Sequence, residues 1–526
     1  MHHPVPGEPP LEALRRDLLD LFARTVTDAQ LRRVFEIALQ RIEHGEAMAP
    51  VRERLQQAVA PPVGPGGGGP RGGRAAGGGG RGPARGVPAP GDGGGRSANS
   101  GTGQSLVALP AYVAAEYLIS HVLPLDIGID PYGNQLTGTL VYGTSLVNAL
   151  FGGATVALLF LLAVELGYRQ RTALVLAGLL AFGTLLAHYA ASFLSEPLTA
   201  LCLTAVVYGL VRARSAGMAP AWLALSGFAA GLALATKLAI GVALVAPGLW
   251  LLWLVWQRER GLTRGAARAL LAWGAPVALW LAGIGAYNWA RFGSPLDSGY
   301  GEEASAYTTP LLTGLEGLLL SPGRGVFWYD APLMLALAGA VWFGRRHPGP
   351  ALVILGMLAG TLLLYGRYYV WWGGGVWGPR FLAPLLPLLL LPAAEVVERA
   401  WAGRYAAVAG VAAVAVAEIA VTLLPLLAPF DRYVVEYAAS PETLRDALWN
   451  IADSPIVVAA GDVLDGEVTL DVAAMRYGEG RLVVISLLSG ALGLALLAAA
   501  AVRVSRAAPA SGRPSPSTPD SRAASR

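Results

Sequence analysis

The chain has 526 residues, of which 54% are hydrophobic and only 14% are charged, with a formal net charge of +4 at pH 7. Soluble globular domains usually carry about 25% charged residues, so this composition excludes an ordinary soluble domain. The arginines are dispersed over many short segments and form no single basic patch, which excludes nucleic acid as the expected partner. The single cysteine excludes an intrachain disulfide bond.

Residues 1–60 are predicted to form an amphipathic helical N-terminal segment, because apolar residues recur at helical spacing between positions 11 and 48. The stretch LRRVFEIALQRIEHGEAMAPVRER begins at Leu31. Around it, residues 11–59 resemble part of the ligand-binding half of AcrR-like repressors of the Tet family. A cytoplasmic helical hairpin without a separate function explains the same pattern equally well.

Residues 61–100 are rich in glycine, proline and arginine, as in VGPGGGGPRGGRAAGGGGRGPARG. A segment of this composition buries too little apolar surface to order itself, so it is predicted to be a disordered linker. Its arginines could instead contact anionic lipid headgroups.

About twelve apolar runs of roughly 17–25 residues follow, each long enough to cross the hydrocarbon core as a helix. Backbone polar groups in lipid must bond within their own segment, so the runs are predicted to be helical. The sequence therefore predicts an all-α polytopic membrane protein with about 11–12 transmembrane helices. The predicted segments are approximately 106–124, 139–164, 172–191, 196–213, 221–237, 239–256, 268–290, 328–344, 350–367, 380–397, 406–428 and 481–502. The first of them, with its proline, glutamate and histidine, could also lie along the interface.

Arginine occurs in every second gap between these runs, so the basic gaps share one face of the membrane. By the positive-inside rule that face is cytoplasmic, and the other gaps face outward. The basic gaps are 169–171, 212–214, 258–268, 345–346, 399–404 and the tail from 503. The expected location is the bacterial plasma (inner) membrane, with multiple spans.

The chain is therefore predicted to contain a membrane domain at 101–428 and an acidic extracytoplasmic domain at 429–480. A helix start at Ser440-Pro441-Glu442 is predicted in the latter, with serine as the cap and proline in the first turn. The last transmembrane helix is 481–502, and a disordered basic cytoplasmic tail occupies 503–526.

Two cations are predicted to bind a lipid phosphate at the outer face. Lys237 is the only lysine of the chain and lies between two apolar runs, where it could also snorkel to the interface. Arg380 follows the aromatic and glycine-rich stretch YYVWWGGGVWGPRF, and arginine binds phosphate with two parallel hydrogen bonds. The aromatic residues of this stretch could also be interfacial anchors.

Two glutamates lie at unusual positions. Glu196 begins an apolar run in SFLSEPLTA, where the helix dipole is a sufficient structural reason for a carboxylate. Glu418 lies near the middle of 406–428 and is either functional or hydrogen-bonded within the bundle. A third region, 288–329, is a long predicted outer loop whose carboxylates and aromatic rings suit sugar binding. Its candidate substrate residues are Arg291, Tyr300, Glu302, Glu303 and Arg324.

Residues 101–400 resemble bacterial C-type membrane glycosyltransferases, the lipid-carrier-dependent class that includes protein mannosyltransferases and lipid A aminoarabinose transferases. The stretches that carry the resemblance are GTGQSLVALPAY (101–112), the segment 141–167, SFLSEPLTA (192–200), GLALATKL (231–238), NWARFGSPLDSGY (288–300) and GVWGPRFLAPLLPLLLLP (375–392).

The resemblance implies a polyprenyl-phosphate sugar donor used at the outer face and places Lys237 and Glu196 in the active cleft. It also implies a catalytic carboxylate in a loop ahead of GTGQSLVALP, where this chain has the glycine–arginine linker. The catalytic residue is therefore unassigned, with Asp126, Asp130 and Glu196 as candidates.

The predicted function is transfer of a sugar from a polyprenyl-phosphate carrier to an extracytoplasmic glycan, lipid or protein in the cell envelope. A transporter or flippase of a lipid-linked substrate is one alternative, and an inactive member that binds a lipid-linked sugar is another. The sequence assigns no metal ligands, although a divalent metal remains compatible with the chemistry. The membrane bilayer is the remaining expected partner.

Overall fold

The computed structural model describes residues 103–111, 135–192, 194–297, 306–403, 405–428, 433 and 440–468, all within one compact unit. This described part is helical and contains no strand, which confirms the all-α class. The predicted segments 1–60, 61–100, 481–502 and 503–526 lie outside the described residues, and with them the stretch that resembles a repressor.

The helices are numbered in chain order, after a first helical segment at 103–111. Their bounds are α1 Gln135–Glu165, α2 Gln170–Phe182, α3 Leu185–Ala190, α4 Glu196–Ser215, α5 Pro220–Thr236, α6 Gly241–Glu259, α7 Arg264–Phe292, α8 Leu311–Leu320, α9 Val326–Tyr329, α10 Pro332–Arg346, α11 Pro348–Tyr365, α12 Leu386–Leu389, α13 Ala393–Trp401, α14 Tyr405–Leu427, α15 Pro441–Trp449 and α16 Pro455–Leu464. Short 3₁₀ turns occupy Leu238–Ile240 and Ala383–Leu385.

Six stretches in the described part are long and apolar enough to cross a membrane. They are Leu146–Glu165, Glu196–Ser215, Leu238–Glu259, Arg264–Ala290, Pro348–Tyr365 and Val408–Leu427. Shorter apolar helices of 10–17 residues, such as α2 and α5, accompany them. The polytopic membrane class is thus confirmed. The count of about 11–12 stays a prediction, because most of 106–124 and all of 481–502 lie outside the described residues.

The predicted continuous helix at 380–397 is wrong. The chain there forms the 3₁₀ turn Ala383–Leu385, the single turn α12 and then α13. The physical reason is Pro384, Pro387 and Pro392, because proline lacks an N–H donor and its ring clashes with the preceding turn. The apolar side chains of this segment are nevertheless buried, so hydropathy alone did not reveal the breaks.

The predicted outer loop 288–329 is also not one loop. Arg291 belongs to the last turn of α7, and α8 and α9 form between 311 and 329. The predicted helix start at Ser440 is confirmed: its Oγ accepts from the Thr443 amide at 3.1 Å, and Pro441 occupies the first turn. Leu448 near the end of this helix, α15, accepts hydrogen bonds from Ser321 and Gly323.

Five of the six basic gaps lie wholly or partly within the described residues, and these five lie together at one end of the bundle, as the alternation of arginine predicted. The tail from 503 lies outside the described residues. The residues that join neighbouring gaps are Arg212 with Glu165 at 2.7 Å, Arg346 with the Gly167 carbonyl at 3.2 Å, Arg169 with Glu398 at 3.5 Å, and Gly217 beside Arg258. We call this end the basic end. Its assignment to the cytoplasm stays a prediction from the positive-inside rule.

A buried carboxylate organises part of the basic end. Glu395 of α13 accepts from the Tyr168 hydroxyl at 2.9 Å and pairs with Arg399 at 3.0 Å and Arg346 at 3.4 Å. Burial, followed by the nearby Glu395 carboxylate, raises the pKa of Tyr168, which keeps this hydroxyl a donor. The connection between α1 and α2, which contains Tyr168, is therefore joined to α10 and α13 through this carboxylate.

Helices α5 and α7 cross closely through small residues. A side chain at Gly227 would clash with the Trp273 carbonyl group, and one at Gly231 would clash with the Trp280 indole. The two glycines are four residues apart and so lie on the same face of α5. Close approach through such spaced small residues is a common way to pack helices in membranes, where apolar surface alone supplies little drive for association.

We expect Gly227→Leu to lower the free energy of unfolding by about 1–3 kcal/mol, because the new side chain forces α5 and α7 apart. Gly274→Leu is the matched control, since a side chain at Gly274 meets no atom within 4 Å. Thermal unfolding of the purified protein in detergent measures both. Equal midpoints for the two variants would contradict the close helix crossing.

Candidate active site

Three predicted residues meet at one buried ion cluster. The Glu196 Oε1 atom lies 2.7 Å from the Arg380 Nε and 3.4 Å from the Lys237 Nζ. The side chains are 1% (Glu196), 8% (Arg380) and 17% (Lys237) exposed. Distances this short in a buried setting give charge-assisted hydrogen bonds, which are stronger than those between neutral groups. The separately predicted residues thus form one unit, which we call the ion cluster.

Glu196 is positioned by polar residues of two other helices. It is the first residue of α4, with Pro197 beside it in the first turn. The Leu194 carbonyl, two residues earlier, accepts from Gln104 Nε2 at 3.0 Å and Asn148 Nδ2 at 2.7 Å. These bonds satisfy a buried backbone acceptor and fix the chain that leads into α4. The carboxylate is therefore held by the backbone as well as by its ion partners.

Lys237 lies at the break between α5 and the following 3₁₀ turn. Its backbone is extended, with φ −153° and ψ 102°, and this turns the side chain away from the path of the helix. The Nζ lies 5.1 Å from the Phe381 ring centroid and 5.8 Å from that of Tyr365. The two rings stack at 3.9 Å. A cation beside aromatic faces gains electrostatic stabilisation, so these rings hold the ammonium group next to Glu196.

The first helical segment reaches the same place. A Cβ on Gly103 would lie 2.6 Å from the backbone nitrogen of Thr236, the residue before Lys237. Only glycine permits this approach without displacing the backbone. The described parts of the stretches 101–112, 192–200, 231–238 and 375–392, which carry the family resemblance, therefore converge on the ion cluster.

Arg380 is presented by a loop that depends on glycine. Gly373 and Gly374 have φ of +83° and +81°, and Gly378 has φ of +71°. Residues with a Cβ rarely adopt this left-handed region. The loop is fastened by the Tyr189 hydroxyl, which donates to the Trp377 carbonyl at 2.9 Å. The glycines of this stretch thus shape the backbone that carries the arginine.

Arg324 is a further buried cation against the same loop, with 4% of its surface exposed. Its guanidinium donates to the Gly323 carbonyl at 3.0 Å and to the Gly374 carbonyl at 3.3 Å. The Tyr329 hydroxyl also donates to Gly323, at 2.8 Å. Arg324 thus contacts Gly374, and a Cβ on the neighbouring Gly373 would lie 2.9 Å from the Arg380 Cβ.

Among the described residues, the two cations of the ion cluster face one carboxylate, and Arg324 is a third cation on the adjoining loop. The second carboxylate oxygen of Glu196 has no hydrogen-bond partner among the described residues. Guanidinium and ammonium groups donate several hydrogen bonds to a phosphate, so these side chains have the chemistry to bind one.

The other predicted site residues are only partly placed. Asp126, Asp130, Tyr300, Glu302 and Glu303 lie outside the described residues, as does the Arg291 side chain. Their roles stay predictions. The described residues contain no group of three or more His, Cys, Asp or Glu side chains that could hold a metal ion.

Glu418 has a structural partner within the bundle, one of the two alternatives that the sequence left open. Its Oε2 accepts from the Ala331 amide at 2.7 Å, at the start of α10. The preceding residue, Asp330, likewise accepts from the Leu185 amide at the start of α3, at 2.9 Å. Carboxylates at helix N-termini are stabilised by the free amides and the helix dipole.

Sequence reasoning missed the residues that support the ion cluster. Gln104 and Asn148 were detectable in principle, since each is a polar amide inside an apolar run. Tyr189 and Phe381 gave no comparable signal, because aromatic residues are common throughout membrane helices and their borders.

Comparison with known proteins gives one family match. Residues 129–284 match the family model described as dolichyl-phosphate-mannose-protein mannosyltransferase. That stretch is 156 of 526 residues; it contains Glu196 and Lys237 and ends before Arg380. Among solved structures, the chain is similar to ArnT from Cupriavidus metallidurans in the apo state, with 17% identity and a TM-score of 0.38. The similarity covers 70% of this chain and 65% of that protein's length. No curated protein sequence matches the chain.

We expect Glu196→Gln to lower the free energy of unfolding by about 3–5 kcal/mol, because it removes the buried carboxylate charge that Lys237 and Arg380 both contact. Glu398→Gln is the matched control, since its ion partner Arg169 is 59% exposed and glutamine keeps an oxygen that can accept from the Thr172 hydroxyl. Thermal unfolding in detergent compares them. Equal stability losses would show that Glu196 does not neutralise the cluster.

Proposed function

We propose that the protein transfers a sugar from a polyprenyl-phosphate carrier to an acceptor of the cell envelope, at the extracytoplasmic face of a bacterial inner membrane. The observation that carries this proposal is the buried ion cluster, in which Lys237 and Arg380 both contact Glu196. The match of residues 129–284 to a mannosyltransferase family model supports the same class of reaction. The positive-inside rule supports the outward orientation, since the five described basic gaps lie together at the basic end.

In the proposed reaction, the acceptor hydroxyl attacks the anomeric carbon of the donor sugar and the lipid phosphate leaves. The bond from the anomeric carbon to the phosphate oxygen breaks as the new glycosidic bond forms, and negative charge grows on the departing phosphate. Lys237 and Arg380 stabilise that charge. Fixed cations in a water-poor site stabilise a transition state without reorganising during the reaction.

Glu196 is assigned a positioning role. Two cations hold it as an anion, and a carboxylate stabilised in its charged form is a poor proton acceptor. We therefore propose that it orients Lys237 and Arg380. The general base that takes the acceptor's proton is then sought elsewhere, with Asp126 and Asp130 as the remaining sequence candidates.

The test is sugar transfer from labelled polyprenyl-phosphate sugars by the purified full-length protein. Lys237→Ala and Arg380→Ala should each reduce the rate by about 10²–10³-fold, the usual effect of losing one group that stabilises developing charge. Lys237→Arg, which keeps the charge, should retain more activity than Lys237→Ala. Arg268→Ala is the control, because Arg268 is exposed at the start of α7.

The same assay separates the alternatives. Transfer that is unchanged in both alanine variants, while they remain folded by thermal unfolding, would remove the site assignment. Translocation of the lipid-linked sugar without transfer would indicate a flippase. Binding of the donor without transfer or translocation would indicate an inactive member.

A further inference from the structure

An apolar groove lies on the bundle away from the ion cluster. It is bounded by α2, α13 and α14 and has a volume of about 370 Å³. Every residue that lines it is glycine, aliphatic or aromatic, and several of the larger ones, including Phe182 and Ile419, are exposed. The volume falls within the range of about 300–1,000 Å³ that is usual for small-molecule pockets. The groove therefore has the size and chemistry to hold an apolar ligand.

Two helical stripes form its walls. On α2 the stripe runs through Val175, Gly178 and Phe182, and on α14 it runs from Val408 to Ile419. Each stripe repeats at three- and four-residue spacing, so it follows one face of its helix. The eleven helical steps from residue 408 to residue 419 rise about 16 Å. One leaflet of the hydrocarbon core is about 15 Å thick, half of the 30 Å total, so the groove matches one leaflet.

The groove opens toward the basic end. Trp401 lines it there, and the Arg171 guanidinium lies 4.7 Å from the centre of that ring. Arg171 is exposed, and no carboxylate among the described residues pairs with it. In contrast, the neighbouring Arg169 pairs with Glu398. A cation at the mouth of an apolar groove is complementary to a lipid with an anionic headgroup.

We propose that this groove binds one acyl chain of an anionic phospholipid from the leaflet at the basic end, with the headgroup phosphate on Arg171. Three features of the groove support it: apolar walls throughout, a length of one leaflet, and an arginine at the mouth. The site is separate from the ion cluster, which is built by α4, the end of α5 and the loop before Arg380. It does not depend on the proposed glycosyl transfer.

The experiment is native mass spectrometry of the detergent-purified full-length protein with phosphatidylglycerol or phosphatidylcholine that carry identical acyl chains. One phosphatidylglycerol should bind about fivefold more tightly than phosphatidylcholine, the preference that one basic residue gives for an anionic lipid. Arg171→Gln should abolish this preference, whereas Arg268→Gln should preserve it.

A second pair of variants tests the groove itself. Gly178→Leu fills it, because Gly178 lines the groove and a Cβ at this position meets no atom within 4 Å. Gly153→Leu is the matched control, since it is also helical and open but does not line the groove. Binding of the preferred lipid should fall at least about fivefold in Gly178→Leu and stay unchanged in Gly153→Leu.

Three outcomes would overturn the proposal. The first is equal affinity of the wild-type protein for the two phospholipids, and the second is undiminished binding in Gly178→Leu. The third is a protein dimer that Gly178→Leu disrupts without any effect on bound lipid, which would assign the groove to a second copy of the chain.

Discussion

The arrangement of the ion cluster depends on one buried carboxylate. Glu196 is contacted by Lys237, 41 residues later in the chain, and by Arg380, 184 residues later. Without a counter-charge, two cations in this setting would repel each other and would each bear the cost of leaving water. The carboxylate lets α4, the end of α5 and the loop before α12 come together in the absence of any ligand. It therefore preorganises the two cations.

The backbone departs from regular helix beside both cations of the cluster. Helix α5 ends just before Lys237, which has an extended conformation, and the loop before Arg380 contains glycines with positive φ. Prolines then prevent the chain after Arg380 from forming a long helix. In lipid, irregular backbone is tolerated only where it is buried in protein or lines a cavity. The concentration of irregular chain at this end thus agrees with a cleft and not with a lipid-facing surface.

Much of the architecture could be predicted from the sequence, because hydropathy and arginine spacing report directly on burial in lipid and on sidedness. Each cation could also be recognised from the sequence: Lys237 is the only lysine, and Arg380 follows a run of glycines. Their shared contact with Glu196 could not be predicted, because sequence patterns report local spacing and this contact joins distant segments. The helix dipole alone accounts for a glutamate at the start of α4, so nothing in the sequence indicated that Glu196 also pairs with the two cations.

The breaks at 383–392 show a different limit. This leucine-rich sequence was predicted to span the membrane despite its three prolines. A segment buried within the protein has the same high hydropathy as one that is buried in lipid. Glu196–Ser215 shows the same ambiguity: 78% of its apolar window is buried inside the bundle, against 6% for Arg264–Ala290. Hydropathy measures removal from water and does not distinguish a protein neighbour from a lipid neighbour.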